Sequence, residues 1–312
     1  MRDRNPEAVL AGQRGRCTFC SLPHNVIVRT GDGGIVLVTL KKYHGLGNDY
    51  LIYDPNQNRE LLQERQIQLL CRRNTGVGAD GILSGPVFEN EKIKVRIFNP
   101  DGSEAERSGN GIRIFSKYLK DAGYVKEKCY ELWTKAGPVQ VEFLDEDASH
   151  MKVDMGYAAF GADSIHAVGF EGDMINESVF FCDNFYNITC VSMGNPNCVV
   201  MMEEISKNKA LHLGPYVENS KYFPNRINMQ LCHVVDRENI QIEIYERGAG
   251  YTYASGTGAC AAAVAAVLGG HCQKDREILV KLKGGDLEVR YTDETVYMTG
   301  KAQMVFEGTV EI

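Results

Sequence analysis

The sequence predicts an α+β protein whose sheets are mostly antiparallel. Three observations point there. From Leu40 onward, short apolar–polar alternations recur between clusters of glycine, asparagine, aspartate and proline, the period-two signature of strands with one wet face. Only three stretches carry a helical pattern, too few for the regular strand–helix alternation of a doubly wound sheet. A tetrapeptide also recurs: Ser-Gly-Asn-Gly at 108–111 and Ser-Gly-Thr-Gly at 255–258, a spacing of 147 (255 minus 108), each leading into an apolar helix.

Residues 1–38 are set apart as an N-terminal extension, because they are polar, Arg-bearing and broken by the GDGG at 31–34; a flexible tail is expected there. The strand candidates then follow as YLIYD (50–54), KVRIFN (94–99), VQVEFL (139–144), MKVDMG (151–156), NITCVSMG (187–194), IQIEIYERG (240–248), ILVKLKG (278–284), LEVRY (287–291) and VYMTG (296–300). Helices are expected at 59–73, 111–121 and 258–269, the last alanine-rich and suited to tight packing. A strand and a Gly-containing turn precede both copies of the tetrapeptide, so the chain reads as two similar lobes, each with a serine at a helix entrance. We assign residues 39–156 plus 300–312 to one lobe and 157–299 to the other.

The 312 residues hold 34 Lys+Arg against 41 Asp+Glu, a net charge of −7, and are 44% hydrophobic. That excludes disorder and argues against a nucleic-acid partner, which needs a basic face to displace phosphate counterions. No apolar run approaches the roughly 20 residues of a membrane helix, so a cytoplasmic protein is expected. Ten dispersed cysteines without a secretory leader read as reduced thiols. Cys17 and Cys20 form a C-x-x-C with no second pair at zinc-finger spacing, so no metal is expected. The phosphate-loop pattern and the G-x-S-x-G elbow are both missing.

A Gly-rich turn at a helix N-terminus offers free N–H groups and the positive end of the helix dipole, which suit a carboxylate. Taken singly, Ser-Gly at a helix start is an ordinary N-cap; the duplication is what points to chemistry. Two such entrances facing one another would place one side chain above and one below a bound α-carbon, the geometry for moving a proton between faces. Glu246-Arg247 ends an apolar strand and could set an ion-paired guanidinium in the cleft. Asn48, Asn99, Asn195 and Asn228 sit in or beside turns, and His44 and Asp49 are titratable candidates within HGLGND.

Six blocks, YHGLGNDY (43–50), GVGADGIL (76–83), RIFNPDGSEAERSGNGIR (96–113), MGNPNCVV (193–200), FPNRIN (223–228) and ERGAGYTYASGTGACAA (246–262), resemble in order and spacing those of the diaminopimelate epimerases. The resemblance spans nearly everything from residue 40 to 312. It implies two lobes, each a sheet curled around a central helix, usually paired as a homodimer. It also implies an isomerase that interconverts LL- and meso-diaminopimelate without a cofactor, for lysine and cell-wall synthesis. It implies further that Asn48, Asn99, Asn195, Asn228, Glu246 and Arg247 hold the amino-acid substrate, with backbone groups at Gly109, Asn110, Gly256 and Thr257.

The blocks depart from the family where the resemblance implies two catalytic cysteines, since Ser108 and Ser255 stand there. Asn197 replaces the usual histidine of the G-N-P-H block, and Arg107 and Tyr251 also differ; Cys260 is a family feature. A helix N-terminus makes a thiolate available near neutral pH, whereas a serine needs a neighbouring base. Four readings follow: serines engineered in to trap substrate, an epimerase whose serines are activated by Glu246 or Asp49, a racemase or isomerase of another amino acid, and a non-catalytic binding protein.

Overall fold

The computed structural model describes residues 37–58 and 61–312. The extension, with its C-x-x-C, lies outside the described residues apart from Leu37 and Val38, which open the first strand. The first half of the fold runs β1 (Leu37–Gly45), β2 (Asn48–Tyr53), α1 (Glu64–Cys71), β3 (Ile82–Glu89), β4 (Lys92–Phe98), β5 (Glu104–Ala105), α2 (Gly109–Asp121), β6 (Cys129–Thr134), β7 (Gly137–Phe143) and β8 (His150–Asp154). A short helix α3 (Ala162–Ile165) and strand β9 (Glu177–Phe181) lead to the second half. This runs β10 (Asn184–Ser192), β11 (Pro196–Met201), α4 (Lys207–Glu218), β12 (Asn228–Val234), β13 (Asn239–Glu246), β14 (Gly250–Thr252), α5 (Gly256–Leu268), β15 (Glu277–Leu282), β16 (Gly285–Tyr291) and β17 (Val296–Lys301), and β18 (Gln303–Glu311) closes the chain.

The two halves repeat strand for strand. In the first, β1–β2 is antiparallel, β2–β3 parallel, β3–β4 and β4–β5 antiparallel, β4–β6 parallel, and β6–β7 and β7–β8 antiparallel. The series from β10 to β17 repeats those directions in that order. Even the outer strands correspond, since β18 pairs with β1 as β9 pairs with β10. An antiparallel seam between β8 and β17 joins the halves. The result is a two-lobed α+β fold in which, among the described residues, four strand pairs are parallel and the rest antiparallel.

Each sheet curls around one helix. α5 touches β10, β11, β12, β13, β15, β16 and β17, and α2 touches β1, β2, β3, β8 and β18. Every residue from Gly256 to Ala266 is buried; a helix enclosed on all sides must be apolar all round, and alanine lets the surrounding backbone come close. α2 fills more space with Ile112, Ile114, Phe115, Tyr118 and Leu119, all fully buried. A continuous apolar core containing both helices runs across the seam.

Among the described helices the sequence reading misses two, the one-turn α3 and the longer α4. The interior of α4 holds Gly214 and Pro215, which weaken helix propensity. It forms because Ser206 caps it and Ala210, Leu213 and Val217 are buried against the second lobe. Tertiary packing overrides the local signal there. No helix among the described residues is long and apolar enough to cross a membrane.

Candidate active site

The two tetrapeptides fold alike. Ser108 sits at φ −139°, ψ 118° and Ser255 at φ −140°, ψ 119°, each as the N-cap of its helix. Ser108 Oγ accepts from Gly111 N at 3.0 Å, and Ser255 Oγ from Gly258 N at 3.2 Å. The helix entrances then meet head to head. A Cβ placed on Gly109 would stand 3.0 Å from Gly256 Cα, and one on Gly256 2.9 Å from Gly109 Cα. Glycine is required at both positions because nothing larger fits between the mouths. Beneath them lies Met298 of β17, whose Sδ would be 3.0 Å from a Gly256 Cβ. Ser255 is buried and Ser108 half-buried.

Different groups face the two serines. Tyr50 Oη lies 3.2 Å from Ser108 Oγ. At Ser255 the neighbour is the half-buried Glu246. Burial pushes its carboxyl above the ordinary carboxylate range; the Ser255 hydroxyl draws it back in part, and the charge of Asp80 adds to the rise. Asp49, the other candidate activator, is spent elsewhere: Lys42 and Arg73 each pair with it at 2.7 Å. Burial works against its ionised form, but the hydrogen bonds from Arg73 and Lys42 outweigh that and hold its pKa below the usual range.

The asparagines form two networks. In the first lobe Asn48 Nδ2 donates to Asp80 Oδ2 at 2.8 Å, while its Oδ1 accepts from Asn110 Nδ2 at 3.0 Å. Asn110 Nδ2 also donates to Ala254 O at 3.2 Å, bridging the lobes. In the second lobe Asn195 Nδ2 donates to Thr257 Oγ1 at 3.1 Å, and its Oδ1 accepts from Asn197 Nδ2 at 3.0 Å. Asn197 Oδ1 accepts from Gln230 Nε2 at 3.2 Å, and Asn228 Oδ1 from Arg247 N at 2.9 Å. Asn197 is thus fully buried and spent on neighbouring amides.

Two predicted residues keep their side chains out of these networks. Asn99 donates to Ser103 Oγ at 2.9 Å within its own turn after β4. Arg247 does not ion-pair with Glu246: its guanidinium donates to Asn225 O at 3.2 Å. Successive residues leaving a strand point to opposite faces, so Glu246 turns to Ser255 while Arg247 turns outward. His44 only accepts from Gly47 N at 3.4 Å within the β1–β2 turn.

Sequence reasoning misses Tyr50, Asp80 and Gln230 as members of the site. Tyr50 and Gln230 follow Asn48 and Asn228 by two residues on strands, and period two puts such pairs on one face. That signal was available. Gln230 is fully buried, and its Oε1 has no hydrogen-bond partner.

Two matched lobes, each a sheet curled around one capped helix, with the helix mouths in contact, define the fold class. It is shared with a hydroxyproline epimerase from Agrobacterium vitis (TM-score 0.64, 12% identity, 88% of this chain and 93% of that one) and with a phenazine biosynthesis protein of the PhzF family from Bacillus anthracis (TM-score 0.60, 17% identity, 88% and 99%). Sequence narrows the class. The family model for diaminopimelate epimerase matches residues 40–161 and 189–305. Diaminopimelate epimerase 2 of a Nostoc species is 42% identical over 86% of this chain and 93% of its own length, and the diaminopimelate epimerase of a Synechocystis species is 40% identical over 88% and 99%. The chain belongs to the diaminopimelate epimerase family.

Proposed function

We infer that the protein epimerises diaminopimelate between its LL and meso forms, with Ser108 and Ser255 at the two proton-transfer positions. The observation that carries this reading is the reciprocal contact of two identically built, serine-capped helix mouths. A substrate carboxylate bound at both mouths would meet free N–H groups at Gly109, Asn110, Gly256 and Thr257, and negative charge developing on it would be stabilised there. Asn48, Asn99, Asn195, Asn228 and Arg247 would hold the remaining polar groups of the substrate.

A serine hydroxyl needs help to take a proton. Glu246 supplies it at Ser255, because a carboxyl raised by burial is a stronger base than an exposed one. Tyr50 completes the opposite wall, where its hydroxyl can return a proton through Ser108. The substitution of both thiols implies a slow enzyme.

We assign the lobes to residues 39–156 plus 300–312 and 157–299; the pairing of β18 with β1 supports returning the C-terminus to the first lobe. A homodimer is supported by β18, where Met304, Val305 and Phe306 are exposed on a strand paired only with β1 among the described residues. Free thiols at all eight described cysteines support a reducing, cytoplasmic setting.

The test is incubation with LL-diaminopimelate in D₂O, following the α-proton by NMR. Deuterium incorporation with appearance of the meso form is expected. Calorimetric binding without exchange would leave a binding protein, and no binding at all would move the substrate to another amino acid.

A further inference from the structure

Five residues into α2, directly behind the mouth, lies Arg113. It is 0% exposed, and no other lysine or arginine among the described residues is buried. Its hydrogen-bond partners are all neutral. Nη2 donates to Asn110 Oδ1 at 2.7 Å, Nη1 to Gly109 O at 3.3 Å and to Met298 Sδ at 3.2 Å, and Nε to Lys301 O at 3.5 Å. Two glycines leave it room: a Cβ on Gly45 would stand 3.3 Å from Nη2, and one on Gly300 3.1 Å from Nε. Burial lowers its pKa to about 10, so it still carries its charge at neutral pH.

A buried cation without a carboxylate partner is costly, and this one sits one helical turn behind the point where the helix entrances touch, donating to the Gly109 carbonyl. Its fork also fixes Asn110. With Oδ1 held by Arg113, the Asn110 amide must direct Nδ2 to Asn48 Oδ1 and Ala254 O, which ties the first lobe's network to the second lobe. In the second lobe the corresponding residue, five after Ser255, is the neutral thiol Cys260. We propose that Arg113 is a positioning residue of the proton-transfer site, whose buried charge adds to the two helix dipoles as the counter-charge for a substrate carboxylate, and whose fork sets the Asn110 amide that locks the mouths together.

The proposal rests on the epimerase reading for its catalytic consequence alone, so it is tested first without substrate. S108C installs a thiol at the half-buried mouth of α2, and its pKa is read by pH-dependent alkylation with peptide-resolved mass spectrometry. Tyr50 faces that position, and Asp80 and Glu246 act on Tyr50 by charge; they are the same in every variant, so differences isolate Arg113. Adding R113M is expected to raise the thiol pKa by about one unit, a tenfold loss of thiolate at a given pH, whereas R113K leaves it within a few tenths. An unchanged thiol pKa in R113M overturns the proposal. Should R113M fail to fold, R113Q replaces it. Should neither fold, the S108C thiol is compared with that of S255C/E246Q, which caps a matching helix mouth with Cys260 in place of the guanidinium: a lower pKa at 108 supports the buried charge, and an equal or higher one overturns it.

The catalytic arm uses the serine enzyme. R113M is expected to lower the α-proton exchange rate about 100-fold, mostly in kcat, with R113K recovering at least ~10-fold. Equal losses in both variants overturn the charge assignment. Absence of exchange in the unaltered protein would refute the epimerase reading and leave the thiol titration to judge Arg113 separately.

Discussion

At the mouth of α2 the serine meets a tyrosine hydroxyl with a guanidinium behind it; at the mouth of α5 the serine meets a carboxylate with a thiol behind it. Backbone angles at the two caps agree to a degree, and strand directions agree throughout. Duplication therefore supplied the scaffold, and divergence at a few side chains supplied a direction. On the proposed reading the α5 side takes a proton and the α2 side presents one, and a substrate carboxylate would lie between two matched helix mouths with the Arg113 charge behind only one of them. A two-base reaction needs that combination of symmetry about the bound carboxylate and asymmetry in what flanks the reacting carbon.

Placing thiols at both mouths tests the comparison most severely. S108C/S255C is expected to raise the α-proton exchange rate by about 10³-fold, because the thiolate is the stronger nucleophilic base at neutral pH. The single variants should be unequal. Since Glu246 already assists Ser255, S108C is expected to give the larger share, and equal gains would show that the flanking groups do not distinguish the two faces.

E246Q comes next, with an expected loss of about 10²–10³-fold in exchange. The pH profile carries the same information. Glu246 must be ionised to act, and burial raises its pKa, so the acid limb of the rate should lie above the ordinary carboxylate range. Stability moves the other way. A carboxyl whose pKa is higher folded than unfolded binds its proton more tightly in the folded state, so its contribution is favourable at low pH and is lost as pH rises through the folded value. At neutral pH E246Q should therefore raise Tm while lowering activity by that factor, a separation that simple misfolding cannot produce.

G109A and G256A probe the contact itself. Each added methyl meets the facing Cα at 3.0 Å or less, and neither backbone can retreat without moving a buried helix. Both should reduce exchange by about 10²-fold, to similar extents, since small misplacements at a reacting centre are expensive. A large difference between them would show that only one mouth is fixed.

Much of this was legible in the chain. The repeated tetrapeptide located both serines and the two central helices, and alternation located nine strands. What stayed hidden has physical causes. α4 carries a proline and a glycine that its burial overrides. Arg113 reads as an ordinary polar residue in an amphipathic helix, and only the curled sheet of the first lobe shows that no face of α2 is left for solvent there. The Glu246–Arg247 pair was misread because adjacency in sequence suggests an ion pair that strand geometry forbids. Asp49 looked available because its partners Lys42 and Arg73 lie on other segments.

Asp49 supplies the smallest expected effect and the sharpest contrast with Glu246. Its folded pKa lies below the usual range because Arg73 and Lys42 hydrogen-bond to the ionised form, so its stabilisation is present at neutral pH and is lost as pH falls through that depressed value. D49N should destabilise the protein by about 1–2 kcal/mol at pH 7, chiefly by leaving the nearly buried Lys42 ammonium with fewer partners, and the difference from the parent should shrink as the solution is acidified. Urea unfolding at several pH values measures it. Exchange activity should change less than threefold, because the carboxylate at the serine is Glu246 and not Asp49. A loss as large as that of E246Q would place the activating group in the first lobe and reverse the assignment of the two faces.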